Sequence, residues 1–578
     1  MLCIFTLPFY GRGACQTHAE PPQDKLSALL GKSQKFRNSW NHNRGFRSLS
    51  EYDMSLATLA SNEGWEPQEI INLLIAFRRR HGKARADREK ALRQDYLERM
   101  LSKVLSSITQ QRKCKVNDTG NARRLVLRHG KNIQYVPHWK KWLIWDGTRW
   151  TPDDKGYVVE LAKETITSMY AQANTIEDKK ERKDFVKAVK RQEYKSRITA
   201  MIQLAQSVPG IPLLPKQLDT DPEKLCVLNG VVDLRTGELL PHKRDDLITK
   251  QAPVIYDPDA SSELFDSFKE KILPDPEVRN FVQRAAGYSL LGSNQEEILL
   301  FIYGPPASGK STLMRVIKET LGDYAVVSDF ETFTTTRRSG SPRNDIARLA
   351  GKRLLLSNEI AEGAKMAETL VKQVTGGDVV AARFLREEFF EFIPQFTLWL
   401  TANNRPRIDS VDGAIWRRIR EIPFEVAIPE EERDPLLKRE LCDLETHGPA
   451  VLTWLVKGCL EYYEKGLEQP TAVSRATEEY REEMDHIATF LGDCVLLGPN
   501  YRENNTALYD AYVKWCRFHR IHPVGRKTFT QDLQRKGYVQ KRQGRQRLWE
   551  GIELDIDDNG NLRIEAIRIG GRKVFPRN

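Results

Sequence analysis

The stretch YGPPASGKST at 303–312 constrains this chain more tightly than any other. Gly304, Gly309, Lys310 and Ser311 match G-x-x-x-x-G-K-[ST], a loop whose backbone N–H groups cradle phosphates while the lysine neutralises the β and γ charges. Ser311 is then placed to hold Mg²⁺, and Pro305, Pro306, Ala307, Ser308 and Thr312 complete the candidate nucleotide-binding segment. The flanks agree. EEILLFIYG reads as a buried parallel strand, and STLMRVIKETLG carries apolar residues at helical spacing and closes at Gly322. Strand, loop and helix in that order set a helix N-terminus against the phosphates and call for an α/β core.

A loop of this kind needs a second strand ending in an acid, which completes the metal shell or orients the attacking water. KRLLLSNEI supplies one, with Glu359 at its end, and the single acid leaves open whether it polarises water, assists the metal or does both. A third apolar strand, FTLWLTANN, ends at Asn403, which is suited to bond the γ-phosphate or the lytic water. Further on, AIWRRIREIPF offers Arg417 and Arg418, suited to reach the γ-phosphate of an adjacent subunit as an arginine finger.

With 578 residues, 40% hydrophobic and 29% charged, the chain is expected to be soluble and globular, and its length suggests about three or four domains. Net charge +11 and a pI near 9.1 favour a polyanionic partner, nucleic acid first. Eight cysteines scattered from Cys3 to Cys516 without a C-x-x-C pair indicate neither a zinc site nor a disulfide framework, which suits a reducing compartment. No apolar run approaches the roughly 18 residues of a membrane span. The opening MLCIFTLPFY lacks a basic leader and a small-residue cleavage site, and reads as a mobile arm or a mis-set start.

Texture divides the chain further. Residues 1–118 read as an arm followed by a helical segment, in which Ser50 and Glu66 fit cap-region positions. Residues 119–261 hold β-type runs rich in Trp and Tyr around NIQYVPHWKKWLIWDGTRWTPDDKG, a charged helical stretch with a solvated face, and hairpin signals at Asn229-Gly230 and Thr236-Gly237. The ATPase core runs over 262–430, helical material over 431–495, and a basic unit over 496–578. In that last unit TALYDAYVKWCRFHRIHPVGRKTFTQDLQRKGYVQKRQGRQRLWEGIEL reads as helix, turn, helix and basic β-ribbon, the pattern of a winged helix. Lys527, Arg535 and Lys536, with Lys541, Arg542, Arg545 and Arg547 in the ribbon, would contact phosphates in a salt-sensitive, sequence-blind way. The competing reading is a solubilising surface on a protein-interaction module, and Trp515, Phe529 and Trp549 are expected in the core.

Taken together, GPPASGKST, RLLLSNE, VTGGDVVAARFLREEFFEF, LWLTANNRP and WRRIREIPF resemble the superfamily 3 helicases, in particular the primase-helicases of phages, plasmids and poxviruses. NGVVDLRTGEL with DDLITKQAPVIYDPDA resembles the family's domain immediately before the ATPase, so the likeness extends over roughly residues 120–550. The resemblance implies a multidomain α/β fold with an AAA+-like P-loop core, a helical N-terminal region and a C-terminal winged helix. It makes Lys310 and Ser311 the phosphate and Mg²⁺ ligands, Glu359 the acid, Asn403 the sensor and Arg418 the better match for the finger. A DNA-gripping hairpin falls at 378–394, with DVVAARF and FFEFIP paired around Leu385–Glu388 and Arg383 and Arg386 facing the strand. No D-x-D or D-x-E acidic pair in an N-terminal sheet domain, such as two-metal nucleotide transfer requires, is evident, whereas SEYDMSLATLA resembles the short helical piece that follows such a polymerase in longer relatives. The expectation is an ATP-dependent, ring-forming DNA helicase, hexameric, for replication of a phage, plasmid or other mobile element. Its expected partners are single-stranded or forked DNA and a separate primase or polymerase, in the cytoplasm of a bacterial or virus-infected cell. The alternative is a non-unwinding origin-binding or loader ATPase.

Overall fold

The computed structural model describes residues 20–45, 48–63, 65–82, 85–90, 93, 96–97, 99–101, 114–334, 344–358, 364–383, 390–408, 413–519, 521, 523–544, 546–557, 562, 568–569 and 572–573. They fall into two compact units: residues 1–220 with 247–249, and residues 221–246 with 250–578.

In the first unit, helices Gln23–Lys32, Gln34–Trp40, Leu49–Asn62 and Pro67–His81 enclose a core that includes Phe36, Tyr52, Leu56, Leu73 and Phe77. Glu66 caps the last of these helices through a capping box in which its N–H donates to the Glu69 carboxylate at 2.8 Å. Ser50 lies one residue inside the helix that Ser48 begins, and its hydroxyl accepts instead from Arg78 at 3.1 Å. Arg78 is buried against the equally buried Asp53 at 2.6 Å. After helix Asp118–His129 comes an antiparallel sheet of β1 (Ile133–Val136), β2 (Lys141–Trp145) and β3 (Trp150–Pro152). Helices Tyr157–Ala173, Lys179–Gln192 and Lys195–Ala205 pack around Leu125, Ile133, Leu161, Ile166 and Met201. Of helix Lys179–Gln192 just Val189 and Gln192 are buried, which leaves its charges solvated.

The second unit opens with an antiparallel sheet of β4 (Lys224–Val227), β5 (Gly230–Asp233) and β6 (Leu239–Leu240). The first turn consists of Leu228-Asn229, not Asn229-Gly230, because Val227 already pairs with Gly230. Gly230 is required by crowding rather than by turn geometry: a Cβ there would stand 2.6 Å from the Leu240 carbonyl. Asn229 meanwhile bonds both the N–H and the carbonyl of Tyr256, each at 2.9 Å, and so ties the turn down.

The central element is a five-stranded sheet of β7 (Leu299–Tyr303), β8 (Ala325–Asp329), β9 (Leu354–Asn358), β12 (Thr397–Ala402) and β13 (Ile419–Pro423), all parallel and ordered β13-β7-β12-β9-β8. The intervening β10 (Val380–Ala382) and β11 (Phe390–Phe392) form a separate antiparallel hairpin. Period-two alternation assigns each strand residue to one of two cores. Leu300, Ile302, Leu354, Leu356, Trp399 and Ile422 meet helices Glu263–Ile272, Pro276–Tyr288, Lys310–Leu321 and Gly448–Lys465. Leu299, Phe301, Leu355, Leu398, Leu400 and Ile419 face the other way, toward helix Glu368–Thr375, Trp416 and Tyr480.

Beyond helices Thr471–Met484 and His486–Cys494, a three-stranded antiparallel sheet, β14 (Val495–Asn504), β16 (Gln546–Leu554) and β15 (Val539–Gln543) in that order, packs with helices Asn505–Phe518 and Arg526–Arg535. Trp515, Phe529 and Trp549 all lie in its core.

Two helices of the first layer touch backbone to backbone. A Cβ on Gly458 would lie 2.1 Å from the Gln283 carbonyl, and one on Gly287 would lie 2.1 Å from the Cys459 nitrogen. Gly458→Leu should therefore force helices Pro276–Tyr288 and Gly448–Lys465 apart and cost about 1–3 kcal/mol or more by overpacking. Thermal unfolding of the variant checks this, and a midpoint equal to wild type would show that the contact is dispensable.

Candidate functional site

The strands of the central sheet end in register. Tyr303 pairs with Ala402 and with Pro423, and Thr401 pairs with Asn358, so the C-terminal ends of β7, β9, β12 and β13 share one edge. The loop 304–309 leaves β7 at that edge, and the exposed Asn403 leaves the adjoining β12. Glu359 follows β9 in sequence and lies outside the described residues.

Local sterics shape the loop. A Cβ on Gly304 would stand 2.1 Å from the Phe424 carbonyl, so β13's continuation excludes every other residue there. Gly309 has φ +84 and faces Ile272, whose Cγ2 would be 2.4 Å from an added Cβ. Ala307, φ +60, takes the left-handed region without being glycine, and its carbonyl accepts from the Ile428 N–H at 3.1 Å. Lys310 begins the helix and is buried. Its Nζ donates to the Gly304 carbonyl at 2.8 Å, the Pro305 carbonyl at 2.7 Å and the Ser308 hydroxyl at 2.9 Å. All three acceptors are neutral, and burial brings the ammonium down to about 8. Pro306, Ala307 and Ser311 are exposed, while Pro305 and Thr312 are half-buried, so the loop presents its outer face to solvent.

Arg417 and Arg418 occupy the opposite edge. They precede β13, whose Ile419 pairs with Leu299 at the start of β7, so about 15 Å of strand separates them from the loop. Both reach Glu297. Arg418 is 9% exposed, donating from Nη2 to Glu297 at 2.9 Å and from Nη1 to the Ala414 carbonyl at 2.8 Å, and its Nε has no partner among the described residues. Arg417 is 66% exposed and meets the same carboxylate at a looser 3.3 Å.

Val380 pairs with Phe392 and Ala382 with Phe390, so the segments DVVAARF and FFEFIP do form a hairpin. Arg383 follows it, half-buried, and Arg386 lies outside the described residues. In the C-terminal unit Lys527 is exposed on helix Arg526–Arg535, Arg542 and Arg547 are exposed directly opposite each other across β15 and β16, and Arg545 lies outside the described residues. Facing like charges destabilise a sheet, so this pair favours an anion near it. Arg535, Lys536 and Lys541 are engaged internally, by Asp532, Asp485 and Glu550.

Sequence reading passed over Arg405, two residues beyond Asn403. Its guanidinium grips the buried Glu421 of β13 in bidentate fashion, at 3.0 and 2.5 Å, and also meets Glu483 of helix Thr471–Met484. It lies over the rings of Tyr303, at 4.6 Å, and Tyr480, at 5.3 Å. Burial pushes the Glu421 carboxyl up to about 7 against the pull of Arg405. The residue just before Gly304 is thus clamped to β13 and to the helix leading into the C-terminal unit. A charged residue next to a proline, in NNRP just beyond a largely apolar strand, was the available signal.

Residues 122–274 match the family model described as "D5 N terminal like". An Acanthamoeba polyphaga mimivirus protein named "putative helicase" is 27% identical over 435 residues, covering 69% of this chain and 45% of that protein. Residues 122–274 thus resemble the D5 N-terminal-like domain, and the proteins this chain is similar to include viral ones named putative helicase. A "putative primase" of African swine fever virus is 24% identical over 323 residues, covering 52% of this chain and 34% of that protein. The chain thus spans less than half the length of these relatives. The apo structure of the NrS-1 C terminal region is 11% identical, with a TM-score of 0.41, over 75% of this chain and 99% of that one.

Arg405→Ala should strand the buried Glu421 carboxylate and cost about 3–5 kcal/mol, whereas replacing both residues with methionine should be close to neutral. Chemical denaturation of the single and double variants tests this. Equal losses in the two would mean that packing, not the ion pair, is what counts.

Proposed function

We propose that this chain is the ATP-driven motor of a DNA helicase serving replication of a virus or other mobile element, and that it acts as a ring, expected to be a hexamer. The observation that carries the proposal is the placement of phosphate loop and arginines at opposite edges of one parallel sheet. The loop of one chain lies too far from its own Arg417 and Arg418 to use them. Head-to-tail neighbours would pair the two edges, and a heterologous contact of that kind forms a ring where its rotation closes. The names of the viral relatives support a helicase, and helicase work implies nucleoside triphosphate hydrolysis and DNA binding.

In this reading Gly304 to Thr312 wrap the triphosphate of ATP, and Lys310 turns from neutral loop acceptors to the β and γ oxygens. Ser311 offers an exposed hydroxyl in the first helical turn, a hard oxygen suited to Mg²⁺, which needs few protein ligands because it keeps waters and phosphate oxygens. Bound there, the ion would neutralise charge on the phosphates. Glu359 is assigned the acid that completes its shell or polarises water, and Asn403 the γ-phosphate contact. The exposure of Arg417 favours it as the finger, while the family pattern favours Arg418, which would first have to leave Glu297. The β10–β11 hairpin with Arg383 and Arg386 would grip the strand. The C-terminal unit is read as a winged helix with Lys527, Arg542 and Arg545 on phosphates. We retain the division into 1–118, 119–261, 262–430, 431–495 and 496–578, the setting of a virus-infected or bacterial cell, and a separate primase or polymerase partner as parts of this proposal. An origin-binding or loader ATPase that does not unwind is the competing reading, and the hairpin within the core favours translocation.

Nucleotide binding should restore the proton that burial weakens on Lys310. Affinity for ATP should therefore be level below about pH 8 and fall above it, toward tenfold per pH unit, as the free loop loses its charge. Lys310→Arg keeps its charge and should not show that fall; equal pH dependence for the two proteins would remove Lys310 from the linkage. A second experiment mixes Arg417→Ala or Arg418→Ala protein with Lys310→Ala protein after confirming subunit exchange. A finger in trans predicts partial recovery of ATP turnover, against a loss of about 10³-fold in the arginine variant alone. No recovery at any ratio with either arginine variant would count against a shared site.

A further inference from the structure

The β1–β2 hairpin closes through residues 137–140, since Val136 and Lys141 form its last pair. The Trp139 N–H donates to the Val136 carbonyl and the Lys140 N–H to the Pro137 carbonyl, both at 3.1 Å. Lys140 takes a left-handed backbone, φ +53. A turn closed by a left-handed residue is a common four-residue solution, but glycine or asparagine ordinarily fills that position. A lysine held there stores strain, and such strain persists where surroundings or function demand it.

The turn presents Trp139, 46% exposed. His138, Lys140 and Lys141 beside it are exposed too. On the far side of β1 runs a segment joined by Tyr135, whose N–H donates to the Ile211 carbonyl at 2.9 Å and whose carbonyl accepts from the Leu213 N–H at 2.8 Å. That segment adds the exposed Lys216 and Leu214, the latter 41% exposed. No acid occurs in residues 137–141 or 211–218. Among the described residues none of these lysines enters an ion pair. The cores of protein interfaces are depleted of charge around their aromatic anchors, whereas here cations flank the indole directly. A base has a face for the indole, and its phosphates have charge for the lysines.

We propose that this tip binds single-stranded nucleic acid, with Trp139 stacking on a base and Lys140, Lys141 and Lys216 neutralising the neighbouring phosphates. The proposal rests on the DNA-motor reading and adds a contact outside the ATPase core. Because stacking and phosphate pairing read no base edges, the contact is sequence-blind.

The test uses the full chain and a fluorescein-labelled thymidine oligonucleotide of about 20 nucleotides, followed by anisotropy across a salt series. Trp139→Ala should weaken binding roughly 5- to 150-fold, the range of one base–aromatic stack, while Trp139→Phe retains most of it. Lys141→Ala with Lys216→Ala should lower the slope of log affinity against log salt by about 0.7 per lysine. ATP turnover without DNA should be unchanged in every variant, which also reports on folding. If Trp139→Ala and the lysine variants bind as wild type does, the tip serves a protein partner or none, and the proposal is overturned while the motor reading stands. Equal losses in the Phe and Ala variants would likewise overturn it, pointing to packing. Failure of the wild type to bind the oligonucleotide would take down the motor reading and this proposal together.

Discussion

Parallel strands that start and stop together impose the constraint on which the rest depends. β7 carries the phosphate loop at its C-terminal end, and β13, paired with it residue for residue, carries Arg417 and Arg418 before its N-terminal end. A five-residue strand cannot bend back on itself, so one chain cannot bring the two groups together. The proposed motor draws on that separation for a site shared between subunits, head-to-tail contacts, and hydrolysis that depends on how neighbours are seated.

Within one chain the loop is held by crowding more than by attraction. Phe424 leaves room for Gly304 alone, Ile272 for Gly309 alone, and Lys310 is kept buried by three neutral acceptors. A buried ammonium with no counter-charge among the described residues has a standing electrostatic reason to accept phosphate. Arg405 then connects the loop to the rest of the second unit. By lying over Tyr303 and Tyr480 while gripping Glu421 and meeting Glu483, it ties the residue before the loop to β13 and to the helix that leads toward the basic C-terminal sheet.

What was legible in the sequence is what depends on local pattern. Apolar runs ending in a glycine loop, in SNE and in TANN read as buried parallel strands because a sheet covered on both faces asks for continuous hydrophobicity. β7, β9 and β12 bear that out, while β8 and β13 of the same sheet were not read. The hairpin of Val380–Ala382 with Phe390–Phe392 was reached through the family resemblance rather than through local pattern. Where non-local packing decides, the pattern misled or stayed silent. Asn229-Gly230 looked like a turn, but the glycine is there to admit Leu240, and the turn lies one residue earlier. Ser50 looked like a cap and instead serves Arg78 across the helical unit. Arg405 gave no motif because its partner Glu421 is 16 residues away and its aromatic neighbours are farther still. The exposure that separates Arg417 from Arg418 is likewise a property of the folded turn.

ATP hydrolysis at shared edges, if it drives strand separation, should release a fluorescent strand from a forked DNA duplex incubated with the purified full chain, with ATP and then with a non-hydrolysable analogue. Release is expected with ATP, none with the analogue despite binding of the fork, and none from the Lys310→Ala protein. A chain that hydrolyses ATP and binds the fork yet leaves the duplex intact at every concentration would contradict it, and would identify the origin-binding or loading role instead.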